Sequence, residues 1–345
     1  MRRGLALATA ALLLVALLAL IAAARNTVLP LFQRSATTAA AVPTTQQTGH
    51  RVILGTGPVT SASYAVGGSL SRIINDSRSD HGVRCSVVAT EGSIANIDAL
   101  REGTIDLGIV QSDWLHHAYH GTDLFAVDGA FTTLRSLMPL FPQPLTVLTR
   151  DQSGIDSLSD LKGKIVNMGA PNSGERASLQ LLFAELGWSP ADFAEISHHT
   201  GDDQRRALCD GDIDAMMVKV AHPNGAVKRI MQSCQARLVA AKGDSVAALS
   251  VNHPYYSPTA IAAEIYDQDT GVIASLGVTS VLLTTADLPP TVARVITEKI
   301  YANLKRLQAE NPIFRRIEKS NFLSPDLPAP PHAGAAEYTE KNGLL

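Results

Sequence analysis

A short pattern that occurs twice constrains the fold of this chain more than any other feature. Residues 102–110 read EGTIDLGIV and residues 210–218 read DGDIDAMMV, and each segment follows a predicted helix. Each is preceded by a strand, a loop of small residues, a helix and a second strand, so the same β-α-β-α-β unit is predicted twice. Strands that alternate with helices form a parallel sheet covered on both faces. The sequence therefore predicts an α/β protein with two similar lobes.

The first repeat opens with a β-branched run that ends in a glycine-rich loop. Residues 52–54 read VIL and lead into Gly55-Thr56-Gly57, and the hydroxyl groups of Ser61 and Ser63 follow before a predicted helix. Glycine lets the backbone approach a ligand closely, and the amides at a helix start favour an anion. The segment at 169–176 is the corresponding loop of the second repeat. We interpret these two loops as the halves of a ligand clamp.

Two further loops are expected at the same edge of the sheets. In open α/β sheets, ligands bind outside the carboxyl ends of the strands. Two lobes that face each other would therefore place all of the strand-end loops around one cleft. These loops are predicted at residues 57–64, 91–96, 111–113 and 169–176.

The N-terminal residues predict an exported protein. Arg2 and Arg3 precede an apolar run at residues 5–24, which is long enough to span a bilayer and ends in small residues as a signal peptide does. We expect residues 1–25 to be either a cleaved signal peptide or a retained membrane anchor. Residues 26–49, rich in Thr, Ala and Gln, are predicted to be a flexible linker. The net charge of −3 and the pI of about 6.4 give no electrostatic indication of nucleic-acid binding.

The cysteines and histidines show no metal-ligand spacing, and no metal site is predicted. In an oxidising compartment Cys209 and Cys234 can form a disulfide, which we favour, with Cys85 left as a strand residue. The alternative is that all of them are buried free thiols. The pairs His116-His117 and His198-His199 could be metal ligands, but adjacent side chains point apart on a helix or strand, so we favour surface histidines.

The sequence favours binding over catalysis. It contains no G-x-S-x-G, H-E-x-x-H or G-x-x-x-x-G-K-[ST] motif. Glu91 and Asp113 could form an acid/base pair, but capping a helix and orienting a loop is the simpler interpretation. Hydroxyls, amides and glycines are abundant instead, and no cofactor is predicted. Arg176 and His222 are candidate cationic contacts.

Five segments together resemble the TAXI-type extracytoplasmic solute receptors of TRAP transporters. The resemblance covers the chain from Val52 to its C-terminus. It departs from the family where Val59, Thr60 and Ser61 replace glycines, where Ser63 stands in place of a usual tyrosine and where Glu175 takes a usual threonine position. The acidic side chain of Glu175 could either repel a dianion or meet a ligand amine. The segments are GTGPVTSASYAVGG at 55–68, ATEGSIANIDALREGTIDLGIVQSD at 89–113, LKGKIVNMGAPNSGERAS at 161–178, ALCDGDIDAMMVKVAHPNG at 207–225 and PHAGAAEYTEKNG at 331–343.

The resemblance implies a two-lobed type II periplasmic-binding-protein fold, in which each lobe is a mostly parallel sheet flanked by helices and crossing strands join the lobes. Lobe 1 is expected at 50–143 plus 278–345, and lobe 2 at 144–277. It also implies a periplasmic or extracytoplasmic receptor, not an enzyme, that binds a small carboxylate, a glutamate-like amino acid or a dicarboxylate. Delivery to the membrane subunits of a TRAP transporter follows from the same resemblance. The alternative is an exported ligand sensor or scaffold of the same fold that is not coupled to transport.

The loops and the resemblance together give one set of predicted ligand-binding residues. Those carried over from the resemblance include Tyr64, Asn96 and Ser173. The full set is Ser61, Ser63, Tyr64, Gly92, Ser93, Asn96, Gln111, Asp113, Pro171, Asn172, Ser173, Gly174, Glu175, Arg176 and His222.

Overall fold

The computed structural model describes residues 49–171, 173–267, 271–317 and 327–344. The predicted signal peptide or anchor, most of the predicted linker and Asn172 lie outside these ranges. The described residues all belong to one compact unit. Within the described ranges, no helix has both the length and the apolar character needed to cross a membrane.

The first repeat folds as predicted from alternating strands and helices. Ser61 caps the first long helix, because its side-chain oxygen accepts a hydrogen bond from the backbone amide of Tyr64 at 3.2 Å. The elements are β1 (His50–Gly55), α1 (Ala62–Asp76), α2 (Arg78–His81), β2 (Val83–Val88), α3 (Ser93–Arg101), β3 (Leu107–Gln111) and α4 (Ser112–His120).

The second repeat has the same order and the same kind of cap. Ser173 accepts a hydrogen bond from the amide of Arg176 at 3.2 Å, as Ser61 does in the first repeat. A long strand, β4 (Leu134–Arg150), connects the repeats. The elements that follow it are β5 (Ile165–Asn167), α5 (Gly174–Glu185), β6 (Glu195–Ser197), α6 (Gly201–Asp210), β7 (Ala215–Lys219), α7 (Gly225–Cys234), β8 (Ala236–Val239) and α8 (Asp244–Asn252).

The remaining elements return the chain to the first sheet. They end in a short helix near the C-terminus. They are β9 (Ser257–Ala262), β10 (Val272–Thr285), α9 (Pro290–Ala302), α10 (Leu304–Glu310) and α11 (Ala333–Lys341).

The sheet topology shows two parallel halves joined by two antiparallel crossing strands. β1 pairs in parallel with β2 and β3, and β5 pairs in parallel with β6 and β7. β10 pairs antiparallel with β3 and β4, and β4 continues antiparallel to β7. The order is β2-β1-β3-β10-β4-β7-β5-β6, with β8 on β4 and β9 on β10. This confirms the predicted two-lobed α/β fold with crossing strands.

Equivalent hydrogen bonds show that the two repeats share a local structure as well as an element order. Asp106 accepts a hydrogen bond from the amide of Ile53 at 2.7 Å, and Asp214 accepts one from the amide of Ile165 at 2.9 Å. These aspartates occupy the same position of the repeated IDLGIV and IDAMMV segments. Each one fixes the turn before a third strand to the first strand of its repeat.

The buried side chains form separate clusters on the two halves of the sheet. Leu70 of α1 and Ile296 of α9 belong to a cluster over the first half, and Val166 of β5 packs with Leu179 of α5 over the second. All four side chains are fully buried, and the burial of each one contributes roughly 1.5–3 kcal/mol to the stability of the folded state. Each half therefore holds its own strand-end loops in place.

One disulfide lies in the second half. Cys209 on α6 and Cys234 at the end of α7 are bonded, with a Cα–Cα distance of 4.7 Å. This is the pairing that the sequence analysis favoured. Cys85 is a buried free thiol on β2.

Candidate functional site

The strand-end loops of both halves line a cleft of about 560 Å³. The first half contributes the loops after β1, β2 and β3, and the second half contributes the start of α5 and the end of β7. The crossing strands β4 and β10 supply its floor. Its polar side chains are Thr56, Ser61, Ser63, Glu91, Ser93, Asp98, Gln111, Trp114, Gln143, Ser173, Glu175, Lys219 and Ser280.

Three helices begin at this cleft. α1 follows its cap Ser61, α3 begins at Ser93 after Gly92, and α5 follows its cap Ser173. The first amides of a helix have no partner within the helix, and the aligned peptide dipoles add a partial positive charge at that end. The cleft therefore collects three electropositive helix ends, an arrangement that favours a negatively charged group.

Trp114 supplies a hydrogen-bond donor that lacks a partner. Its side chain is 1 % exposed and lines the cleft, and Nε1 has no hydrogen-bond partner among the described residues. A Cβ atom built on Gly174 would lie 3.7 Å from this Nε1, so the donor lies beside the start of α5. An unpaired buried N–H group costs about 1–3 kcal/mol. An acceptor atom of a ligand would remove that cost.

A buried ion pair lies behind the cleft. Lys219 Nζ is 2.6 Å from Asp113 Oδ2, with side-chain exposures of 2 % and 0 %. The hydroxyl of Ser178 and the backbone amide of Trp114 donate to the same carboxylate. Burial alone would raise the pKa of Asp113, but the charge of Lys219 and these hydrogen bonds outweigh it and hold that pKa below its usual value. The pair thus holds the side chain of Lys219 in place at the edge of the cleft.

Glu175 is the acidic group at the start of α5. Its Oε1 accepts a hydrogen bond from the backbone amide of Lys219 at 2.9 Å. The side chain is partly exposed to the cleft, yet the protein packed around its carboxyl group raises its pKa, against the opposing effects of the Lys219 amide and charge. A second negative charge nearby is therefore unfavourable, and a ligand group that donates a hydrogen bond is favourable.

A chain of amide and hydroxyl groups crosses the floor of the cleft. Gln111 Nε2 donates to Gln143 Oε1 at 2.6 Å, and Gln143 Nε2 donates to Ser280 Oγ at 2.5 Å. The backbone amide of Gln111 donates to Ser93 Oγ at 3.1 Å. Because Gln143 and Ser280 lie on β4 and β10, this chain ties the polar loops of the first half to the crossing strands.

The structure brings about half of the sequence-predicted residues together around the cleft. Those that line it come from both halves of the molecule. They are Ser61, Ser63, Gly92, Ser93, Gln111, Ser173, Gly174 and Glu175. Six others, Tyr64, Asn96, Asp113, Pro171, Arg176 and His222, are not among its lining residues, and Asn172 lies outside the described residues.

Asn96 and Arg176 stabilise the loops from behind the cleft. Asn96 is fully buried, and its Nδ2 donates to the carbonyl oxygens of Thr56 at 2.8 Å and Ile109 at 2.9 Å. The guanidinium of Arg176 donates to the carbonyl oxygens of Gly169 and Ser197. Both polar groups are used to satisfy backbone carbonyls, so they position the site rather than line it.

The other predicted residues outside the cleft have structural surroundings of their own. Asp113 acts through Lys219, as described above. His222 contacts the hydroxyls of Thr146 and Tyr266. Tyr64 takes part through its backbone amide at the cap of α1, and Pro171 is an exposed loop residue.

Sequence reasoning missed Trp114 and Lys219. The repeat contained a signal for the second, because Lys219 directly follows IDAMMV just as Gln111 directly follows IDLGIV. Equivalent strand ends reach equivalent edges of a sheet, so the repeat could have placed Lys219 beside Gln111 at one cleft. Trp114 had no such signal, because its burial beside Gly174 depends on contact between the two halves.

The sequence matches a known protein family over most of its length. Residues 54–343 match the sequence profile of the NMT1-like family. Several solved structures are similar to this chain at low identity. The alkanesulfonate-binding protein SsuA from Xanthomonas axonopodis pv. citri bound to MOPS is 16% identical over 84% of this chain and 83% of its own, with a TM-score of 0.47.

Two other similar structures have different names. PhnD1 from Prochlorococcus marinus in complex with methylphosphonate is 11% identical over 86% of this chain and 100% of its own, with a TM-score of 0.47. The GluR0 ligand-binding core from Nostoc punctiforme in complex with L-glutamate is 13% identical over 76% of this chain and 95% of its own, with a TM-score of 0.43.

Proposed function

This chain belongs to the NMT1-like family, and from its cleft we propose that it is an extracytoplasmic solute receptor. It binds a small organic anion between two lobes, residues 50–143 plus 278–345 and residues 144–277. It then delivers this solute to the membrane subunits of a TRAP-type transporter, as the sequence resemblance implies. In this proposal the N-terminal segment directs export, and it tethers the receptor to the membrane if it is not cleaved.

The unpaired donor of Trp114 is the observation that carries this proposal. A buried N–H without an acceptor is costly, and this one lies where a helix start also favours negative charge. Lys219 adds the one cationic side chain among the described residues that line the cleft. A carboxylate or another acidic group at this point would accept from Nε1 and meet both electropositive partners.

The charged residues that line the cleft limit the class of ligand that can bind. The charge of Lys219 is already balanced by Asp113, while Glu91, Asp98 and Glu175 add carboxyl groups to the lining. A dianion would meet these groups without enough compensating cations. We therefore infer a ligand with one acidic group beside Trp114 and an amine or another donor facing Glu175, as in an amino acid.

Tryptophan fluorescence provides a direct test, because the chain has two tryptophans. In Trp188→Phe, which replaces a residue packed against Phe183 away from the cleft, Trp114 is the remaining fluorophore. Amino acids, monocarboxylates and dicarboxylates are titrated into this variant and, by calorimetry, into the wild type. We expect saturable quenching and a raised Tm with monoanionic ligands that carry an amine.

Trp114→Phe is the matched variant, because it keeps an aromatic ring and removes the donor. Loss of a hydrogen bond to a charged group weakens binding by about 1.5–3 kcal/mol, or roughly 10- to 150-fold in Kd. Trp188→Phe should bind as the wild type does. A screen in which no organic acid binds, or a Trp114→Phe protein with unchanged Kd, contradicts the proposed anion site.

Coupling to transport is tested separately. The purified receptor is added to vesicles that contain the membrane subunits of a TRAP-type transporter from the same organism, and uptake of the identified ligand is measured. We expect uptake to require the receptor. Tight binding without receptor-dependent uptake would favour the alternative, a ligand sensor or scaffold of the same fold.

A further inference from the structure

A second pocket adjoins the cleft in the second half of the molecule. Its volume is about 280 Å³, and it lies near the ends of β5 and β7 and the starts of α6 and α7. Ser173, Glu175 and Val220 line both this side pocket and the cleft. The two spaces therefore meet at the start of α5, next to the polar groups that are proposed to bind the ligand.

The buried base of the side pocket is apolar, whereas the polar residues His199, Thr200 and Gln204, which also line it, are exposed or partly exposed. Met216, Val227 and Ile230 line it and are 2–3 % exposed, so they form its base within a packed cluster. Val218 and Ala226 line it as well. Covering such a surface with another apolar group is favourable, whereas covering it with a charged group is not.

The polar groups are divided unequally between the two spaces. Trp114 of the cleft has a buried donor without a partner, whereas no described residue lining the side pocket has a buried side-chain atom in that condition. Asn224, at the side pocket, already uses its side-chain oxygen to accept from the amides of Ala226 and Val227. The side pocket thus offers apolar contacts, and none of its described lining residues has a buried polar atom that lacks a hydrogen-bond partner. It is therefore suited to the apolar part of a ligand rather than to a separate polar solute.

We propose that the side pocket binds the apolar arm of the same ligand whose charged end lies in the cleft. This inference deepens the proposed function and depends on it. The substrate class is an amino acid, or a related organic acid, with an unbranched apolar chain of several carbons. The chain passes Ser173 and Glu175 and ends against Met216 and Ile230.

A homologous series tests this assignment. Straight-chain 2-amino acids from alanine to 2-aminooctanoate, and the matching unsubstituted carboxylates, are titrated by calorimetry into the purified wild-type chain. Burial of one methylene group corresponds to an increase in affinity of about fourfold. We expect Kd to fall by that factor for each added methylene until the side pocket is filled, and then to level off or rise.

Two substitutions change the side pocket, which is proposed to bind the apolar arm, and leave the lining of the cleft unchanged. Ala226→Leu places a larger side chain in the pocket from an exposed helix position, and Val218→Thr keeps the shape but adds a hydroxyl. Both should reduce the dependence on chain length while the shortest ligand that binds keeps its Kd. Ala194→Leu, at an exposed position of the same half that lines neither space, is the matched control and should behave as the wild type.

The outcomes separate this inference from the function on which it depends. Binding of short acids with a flat or falling dependence on chain length overturns the side-pocket assignment and leaves the receptor function intact. A dependence on chain length that persists unchanged in both Ala226→Leu and Val218→Thr places the arm elsewhere and also overturns it. If neither series binds at any length, the anion site itself is wrong and the inference falls with it.

Discussion

The ion pair between Lys219 and Asp113 predicts a large and unusually pH-dependent effect of one substitution. Both side chains are almost completely buried, and the pair joins the end of β7 to the start of α4. Lys219→Met keeps an unbranched apolar side chain but leaves the buried carboxylate without its cation. Breaking a buried pair in this way costs about 3–5 kcal/mol. At about 2 °C per kcal/mol, Tm should fall by roughly 6–10 °C at neutral pH.

The sign of the pH dependence follows from the pKa of Asp113. In the wild type that pKa is held below its usual value, so the pair's contribution is present above pH 3.8 and is lost as the pH falls through the folded-state pKa. Without Lys219, burial raises the pKa instead, and the folded state binds a proton more tightly than the unfolded state does. The stability deficit of Lys219→Met should therefore shrink by at most about 1.4 kcal/mol per pH unit as the pH is lowered toward 4.

A double-mutant cycle measured by urea unfolding provides the test. Asp113→Asn alone leaves Lys219 buried without its partner, whereas Asp113→Asn with Lys219→Met removes both charges and should be much more stable than the sum of the single variants predicts. The exposed pair of Lys228 and Asp267, with side-chain exposures of 48% and 75%, is the control, and Lys228→Met should cost under about 1 kcal/mol. Additive single effects, or a Lys219→Met deficit that does not change with pH, would refute the reasoning.

Three further predictions concern stability. Replacing both Cys209 and Cys234 by Ala opens a loop closed by residues 25 positions apart and should cost about 3–4 kcal/mol in urea unfolding under oxidising conditions, with no loss in a reducing control. Burial, together with neighbouring histidines, lowers the pKa of His116 to about 4, so stability should be lost between pH 6.5 and pH 4, where the unfolded state binds the proton first. The loss is at most about 3 kcal/mol before solvent screening, and His116→Gln should remove it from the measured pH profile. A Cβ atom on Gly67 would lie 2.4 Å from Thr56 Cγ2, whereas one on the adjacent Gly68 would meet nothing within 4 Å. Gly67→Ala should therefore destabilise the protein by about 1–3 kcal/mol, and Gly68→Ala should raise Tm slightly.

The fold of this molecule could be predicted because the sequence contains the pattern of the β-α-β-α-β unit twice. Asp106 and Asp214 each accept a hydrogen bond from the amide of an isoleucine in the first strand of their repeat, so one local solution is encoded by two similar segments. Ser61 and Ser173 likewise cap equivalent helices at the cleft. Features set by residues close in sequence, such as caps, turns and strand ends, could be predicted from residue types and spacing alone.

The site itself could be predicted only where it repeats those local features. Asn96 and Arg176 have polar groups that could contact a ligand, but each donates to backbone carbonyls instead. These hydrogen bonds depend on which loops pack against the two side chains, and residue type alone does not reveal that packing. Trp114 is the converse case. Its residue type and position predict an ordinary core residue of α4, and only the structure shows that its unpaired donor lies beside the start of α5 from the other half. Its chemistry is a property of the two halves together, so a ligand that pairs with Nε1 contacts both of them and favours the arrangement in which they meet.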